Sequence, residues 1–129
     1  TEGYRVSADM TLKDVDTELI RSFIIPGGDI SCINNAFLHQ FLQNLKKKEV
    51  LIAAICAGVN LLDDAGILKG ISSTQSADLD LVNSSRVITA RANAYVDFAI
   101  ETAKELDLFT DEEDLQETIA FWKYFKRAQ

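Results

Sequence analysis

Histidine is nearly missing from this chain: His39 is the only one among 129 residues. Any mechanism that needs two imidazoles from one subunit is therefore excluded. Two cysteines, Cys32 and Cys56, are too few for a disulfide framework, and no C-x-x-C or Cys/His cluster accompanies them, so no metal is expected. One proline and six glycines rule out collagen-like or low-complexity architecture. Basic residues are outnumbered, 13 against 20, and the net charge of −7 repels phosphate backbones. The only lysine run, Lys46-Lys47-Lys48, is a poor footprint for nucleic acid. The longest apolar run, residues 50–59, is too short to cross a bilayer, and nothing resembles a signal peptide. The expectation is a soluble, cytoplasmic protein with neither nucleic acid nor membrane as partner.

What is present suits a folded domain: 47% of residues are hydrophobic and 26% charged. No repeat or linker divides the chain, so residues 1–129 read as one domain. Short apolar runs of strand length alternate with longer stretches at helical spacing, the pattern of an α/β protein. Tyr4, Val6, Ala8, Met10 and Leu12 alternate, which predicts extended structure over residues 4–12, as a strand pair or an edge. Residues 23–25 predict a strand stopped by Pro26-Gly27-Gly28. An amphipathic helix follows over residues 33–48, with Ile33, Phe37, Leu38, Phe41, Leu42 and Leu45 as its apolar stripe and the lysines in its last turn. His39 falls off that stripe and reads as a solvated surface residue. Residues 50–55 predict a central parallel strand buried on both faces, and residues 59–65 a short helix closed by Gly66.

Further strands are expected over residues 72–75 and 87–89. A helix is expected over residues 95–106 with Phe98, Ala99, Ala103 and Leu106 inward. Thr110 and Glu113 form a capping-box pattern for a last helix running to about residue 127. On that helix Trp122, Tyr124 and Phe125 read as core or as contacts to a second copy. The acidic pairs and runs, Asp63-Asp64 and Asp111 to Asp114, read as solvent-facing charge. Asp78 and Asp80 lie in a polar loop, solvated or close to whatever Gln75 faces.

The sharpest local feature is Ala54-Ile55-Cys56-Ala57-Gly58, where an apolar strand passes through a cysteine flanked by small residues into a helix. A nucleophile on such a tight bend needs small neighbours, because larger side chains collide there. Cys56 would then meet the unpaired N–H groups and dipole of the following helix, which favour an anion. The same five residues suit an inert cysteine in a packed core equally well.

Ile24-Ile25-Pro26-Gly27-Gly28, Ala53-Ala54-Ile55-Cys56-Ala57-Gly58, Ala65-Gly66-Ile67-Leu68-Lys69-Gly70 and Ile88-Thr89-Ala90-Arg91 occur in that order, with Val96-Asp97-Phe98-Ala99 after them. Together they resemble the ThiJ/PfpI family of class I glutamine-amidotransferase-like proteins, whose members include the parkinsonism-linked oxidative-stress protein and PfpI intracellular protease. The resemblance implies a flavodoxin-like three-layer α/β sandwich with a mostly parallel sheet, and a reactive, catalytic cysteine at Cys56. It implies an oxyanion hole from the backbone N–H groups of Gly28 and Ala57, and substrate-binding positions at Gly27, Gln75 and Arg91. It further implies a homodimer or larger assembly and no cofactor. Relatives carry an N-terminal βαβ part, with a glutamate, ahead of the position of Tyr4, so the chain is expected to be incomplete at its N-terminal side relative to the family. Where relatives often have a histidine, this chain has Ala57 and Gln75, and where many have Gly-Pro after the arginine it has Ala92-Asn93.

Two kinds of role follow. One is a cysteine-dependent hydrolase, amidase, glyoxalase or deglycase acting on small carbonyl or amide substrates. The other is a non-catalytic redox-responsive or chaperone-like dimer whose cysteine is a sensor. A Cys32–Cys56 redox pair is conceivable, because the Pro26-Gly27-Gly28 turn ahead of Cys32 approaches the cysteine bend in such a fold.

Overall fold

The computed structural model describes residues 3–127. Four strands, β1 (Ser22–Ile25), β2 (Leu51–Ile55), β3 (Leu81–Ser84) and β4 (Val87–Ala90), form one sheet in the order β1-β2-β4-β3. β1, β2 and β4 are parallel, and β3 pairs antiparallel with β4. Helices α1 (Ala36–Lys47) and α2 (Ala57–Asp64) cover one face, and α3 (Tyr95–Glu105) covers the other. α4 (Glu112–Tyr124) packs on the outside of α3. The result is a mostly parallel, flavodoxin-like α/β sandwich.

β2 organises the core because its alternate side chains enter opposite layers. Ile52 and Ala54 join Leu42 and Leu45 of α1 and Leu61 and Leu62 of α2, whereas Leu51 and Ala53 join Ile88, Ala90 and Phe98 on the α3 side. Burial on both faces is why residues 50–55 read as an unbroken apolar run. α1 begins where the side chain of Asn35 accepts a hydrogen bond from the Leu38 N–H at 3.0 Å. That cap starts the helix three residues later than the apolar spacing predicts; Ile33, ahead of it, and Phe37, in its first turn, are exposed.

Several expectations are corrected. Residues 4–12 contain no strand: Tyr4, Val6 and Met10 are exposed, and residues 12–14 form a turn of 3-10 helix. A period of two marks extended backbone but supplies no partner strand, and of the alternating set only Leu12 packs against the core. Residues 72–75 form a loop and turn, held as Thr74 N–H donates to Thr89 Oγ1 at 3.0 Å. The strand lies later, at β3, joined to β4 through Ser85 and Arg86, both at positive φ. Such a two-residue turn usually carries Asn or Gly, so Ser-Arg gave no signal.

In α3, Phe98 is buried as expected, but Ala99 is exposed and Thr102 takes an inward position, its hydroxyl donating to the Phe98 carbonyl at 2.7 Å. The cap of α4 is displaced by one residue. Asp111 accepts from the Asp114 N–H at 2.9 Å, and the Asp114 carboxylate reaches back to the Thr110 N–H at 3.0 Å. Trp122, Tyr124 and Phe125 are exposed, which excludes them from the core. His39 is half-buried, with Nε2 2.6 Å from Asn34 Oδ1, rather than freely solvated.

None of the residues of α4 is buried, so its attachment depends on a few contacts. Among them Lys123 Nζ donates to Asp97 Oδ1 at 2.7 Å, and that hydrogen bond raises the Lys123 pKa above its ordinary value. A raised lysine pKa means that the pair stabilises docking below the ordinary lysine range and that this contribution is lost as pH rises through the raised value. Trp122, the single tryptophan, reports on this helix. Asp97→Asn is expected to shift Trp122 emission and speed amide exchange in α4 at neutral pH while leaving the β2 amides protected; unchanged α4 exchange would show that the pair does not hold the helix.

Candidate functional site

β2 delivers the chain to Cys56, and α2 begins at the next residue. Cys56 has φ 57° and ψ −126°, outside the regions that L residues ordinarily occupy. A residue held this way costs about 1–3 kcal/mol and persists only where its surroundings fix it. Here Cys56 N–H donates to the Ala90 carbonyl at 2.9 Å, and the Cys56 carbonyl accepts from Val59 N–H at 3.1 Å. Although Cys56 occupies the N-cap position of α2, its side chain caps no helix N–H group. The thiol is exposed, so the buried-core alternative is excluded.

The turn after β1 forms the wall beside it. A Cβ at Gly27 would lie 2.9 Å from Cys56 Cβ and 3.4 Å from Cys56 Sγ. One at Gly58 would lie 2.8 Å from the Ile25 carbonyl oxygen and 3.2 Å from that of Pro26. Glycine at 27 and 58 therefore lets the turn, the thiol and the first turn of α2 approach each other. Gly28 has φ 138°, a conformation open to glycine and strained for other residues. Beyond it, Asp29 accepts from Ser31 N–H at 2.9 Å, and this hydrogen bond holds its carboxyl pKa below the ordinary value. Ala57 is the first residue of α2, where a helix leaves N–H groups without intrahelical partners.

Gln75 and Arg91 come from loops at the same end of the sheet. Gln75 Nε2 donates to Asn60 Oδ1 at 2.9 Å, and Asn60 lies one helical turn beyond Cys56. Sequence reasoning missed Asn60, for which the only available signal was its i+4 spacing from the cysteine. Arg91 follows Ala90, whose carbonyl holds the Cys56 N–H. Its guanidinium is committed to acids, with Nη2 donating to Asp78 Oδ1 at 3.0 Å and Nη1 3.6 Å from Asp80 Oδ1. His39 is elsewhere: Asn34 links it to Asp64 at the far end of α2, roughly 12 Å along the helix from Cys56.

Cys32 lines an apolar cleft of ≈ 530 Å³ with Leu12, Ile24, Pro26 and Phe37, a cleft that Cys56 does not line. Both cysteines are free thiols. Among the described residues no group of three or more His, Cys, Asp or Glu is arranged to hold a metal ion, and no helix is long and apolar enough to cross a membrane.

A sheet of this order with a cysteine at the bend after its central strand invites comparison with known proteins. The DJ-1/PfpI family model matches residues 1–105. The chain belongs to the DJ-1/PfpI family. Among solved structures it is similar to a DJ-1 superfamily protein from Agrobacterium tumefaciens, with 26% identity, a TM-score of 0.72, and coverage of 88% of this chain and 70% of that one. Oxidized DJ-1 from Toxoplasma gondii shares the fold at 23% identity and a TM-score of 0.74, covering 95% of this chain and 73% of that one. A ThiJ/PfpI family protein from Bacillus anthracis does so at 21% identity and a TM-score of 0.76, covering 95% and 66%. No curated protein matches.

The close approaches around Cys56 give two expected outcomes. Gly58→Ala is expected to destabilise this DJ-1/PfpI protein by about 1–3 kcal/mol in urea titration, because its Cβ meets backbone oxygen rather than a movable side chain. Gly27→Ala is expected to displace Cys56, whose Cβ the new Cβ would meet at 2.9 Å, and, in protein whose circular dichroism is unchanged, to slow alkylation of Cys56 several-fold relative to Cys32, read by peptide mass mapping. Equal rates in wild type and variant would show that the turn does not shape access to the thiol.

Proposed function

We propose that Cys56 is the functional residue of this DJ-1/PfpI-family protein and acts as a nucleophile towards small carbonyl or amide compounds. The observation that carries this reading is an exposed thiol on a strained bend at the N-terminal end of α2. In the proposed step the thiolate sulfur forms a bond to the carbonyl carbon, and the π pair moves onto oxygen. The backbone N–H groups of Gly28 and Ala57 receive that oxyanion. An amide would then expel its amine with a proton and leave a thioester for water to hydrolyse; an aldehyde would remain as a hemithioacetal for rearrangement or release. Hydrolase, amidase and glyoxalase or deglycase chemistry share this first step. Gly27, Gln75 and Arg91 are proposed to bind substrate, with Gln75 acting beside Asn60 and Arg91 acting chiefly by shaping the loop through its acidic partners. With His39 at the other end of α2, helix amides rather than an imidazole of this chain support the anion.

A second reading is a redox-responsive role, favoured by the exposure of Cys56 and by the oxidized form of the similar Toxoplasma gondii DJ-1. Peroxide would convert the thiolate to sulfenic acid, with the second peroxide oxygen leaving as water or hydroxide; a second peroxide equivalent would give the sulfinic acid. We place the protein in the cytoplasm as a homodimer under either reading.

Iodoacetamide labelling at neutral pH is expected to modify Cys56 faster than Cys32, and Cys56→Ser is expected to abolish turnover of model aldehydes or amides. Turnover that survives Cys56→Ser would overturn the nucleophile assignment. Selective gain of oxygen at Cys56 under dilute peroxide, with no turnover by the wild type, would favour the sensor.

A further inference from the structure

At the end of α2 remote from Cys56, the last turn of α1 meets the turn that follows α2. Gln43, Lys46 and Lys47 stand three and four residues apart and so share one face of α1. Gln43 Nε2 donates to the Ala65 carbonyl at 2.9 Å, which ties that face to the end of α2. The next residues turn between Gly66 (φ 75°) and Gly70 (φ 79°). Burial of Ile67 and Leu68 in the core fixes this turn, while Lys69 stays exposed. The result is a hollow of ≈ 430 Å³ bordered by Lys46, Lys47 and Lys69.

Three ammonium groups around one hollow repel each other. Among the described residues none of the three has a carboxylate within ion-pair distance, whereas Lys48 is paired with Glu18 and Arg86 with Glu105. Asp63 and Asp64 precede the turn but do not border the hollow, and Asp64 accepts from Asn34 Nδ2 at 2.7 Å. Lys46 Nζ donates to the Ser85 carbonyl at 2.9 Å, which leaves two of its three N–H groups, and burial lowers its pKa from the ordinary lysine value. A helix dipole accounts for lysines in the last turn of α1, but Lys69 lies beyond the last turn of either helix.

We infer that this hollow binds a diphosphate group, free or as the charged end of a soluble compound. A phosphoryl group brings about −1.5 to −2 charge and three acceptor oxygens. Two joined phosphoryl groups therefore offset three ammoniums, where a single carboxylate would meet only one. Lysine suits phosphoryl oxygens as a compact point charge. The N–H groups of Gly66 and Ile67 already donate to the carbonyls of Asp63 and Leu62, so the lysine side chains hold the anion. A nucleic-acid strand is a poorer occupant, since its charge would extend past the hollow over a chain of net charge −7. The inference is independent of the chemistry of Cys56.

Isothermal titration of the full chain with inorganic pyrophosphate, at low ionic strength and without divalent cations, tests it. Wild type is expected to bind pyrophosphate more tightly than acetate or a single phosphate, and more weakly as salt is added. Lys47→Gln combined with Lys69→Gln is expected to weaken binding at least about tenfold, because each change removes a charge-assisted hydrogen bond at an exposed position. Lys47→Arg combined with Lys69→Arg is expected to keep most of the affinity, and Lys13→Gln, outside the hollow, to leave it unchanged. The rate of Cys56 alkylation is expected to be the same in all these variants, so the two proposals fail separately. Absence of binding by wild type at millimolar pyrophosphate would overturn the site, as would a double glutamine variant that binds like wild type or a Lys13→Gln variant that loses as much. Binding to vesicles containing a bisphosphorylated inositol lipid, without binding to free pyrophosphate, would overturn the soluble ligand in favour of a membrane.

Discussion

The close passage of the first turn of α2 over the end of β1 is the constraint on which the site depends. Gly58 lies so near the carbonyl oxygens of Ile25 and Pro26 that a single added carbon would meet both. This contact sets how far α2 can tilt from the sheet, and hence how abruptly the chain must turn between Ile55 and Ala57. Cys56 absorbs the turn in its backbone torsions, while the hydrogen bond from its N–H to Ala90 keeps it tied to the neighbouring strand. The close approach of the Pro26 turn, the thiol and the first turn of α2 thus depends on the absence of a side chain at two positions, Gly27 and Gly58.

The same end of the sheet collects every other group assigned to the site. Parallel strands point their carboxyl ends the same way, so the loops after β1, β2 and β4 all emerge beside Cys56. That is how Gly27, Cys56 and Arg91, far apart in the chain, come to border one region. The solitary imidazole is excluded from it by the length of α2, because its hydrogen-bonded link to Asp64 holds it at the opposite end of that helix. Burial on both faces makes β2 a rigid mount for the thiol.

Much of this architecture was legible where one residue type forces one conformation or one pattern repeats. The strand over residues 50–55, the glycine stop at Gly66 and the Leu38, Phe41, Leu42 and Leu45 part of the α1 stripe each express a local rule that the packing then obeyed. What could not be read were features decided by partners. Tyr4 to Met10 alternate without any strand to pair with, and the Ser85-Arg86 turn adopts a conformation that the hairpin imposes on residues with little preference for it. Within the site, Cys56 and its small neighbours were visible because a tight bend limits side-chain size. Asn60 was not, since a polar residue in a first helical turn looks the same whether it faces solvent or a glutamine from a distant loop.

The two margins of the sheet are unequal. At β3 the outer row is short and lies beside acidic groups, with Asn83 donating to Glu101 at 3.0 Å and to Glu105 at 2.8 Å. Such a border discourages further pairing. At β1, the other margin, residues 11–13 border the strand and Ile24 is half-exposed. A half-exposed apolar side chain on one outer strand and amide-to-carboxylate bonds on the other give the two flanks of the pleated array different chemical character.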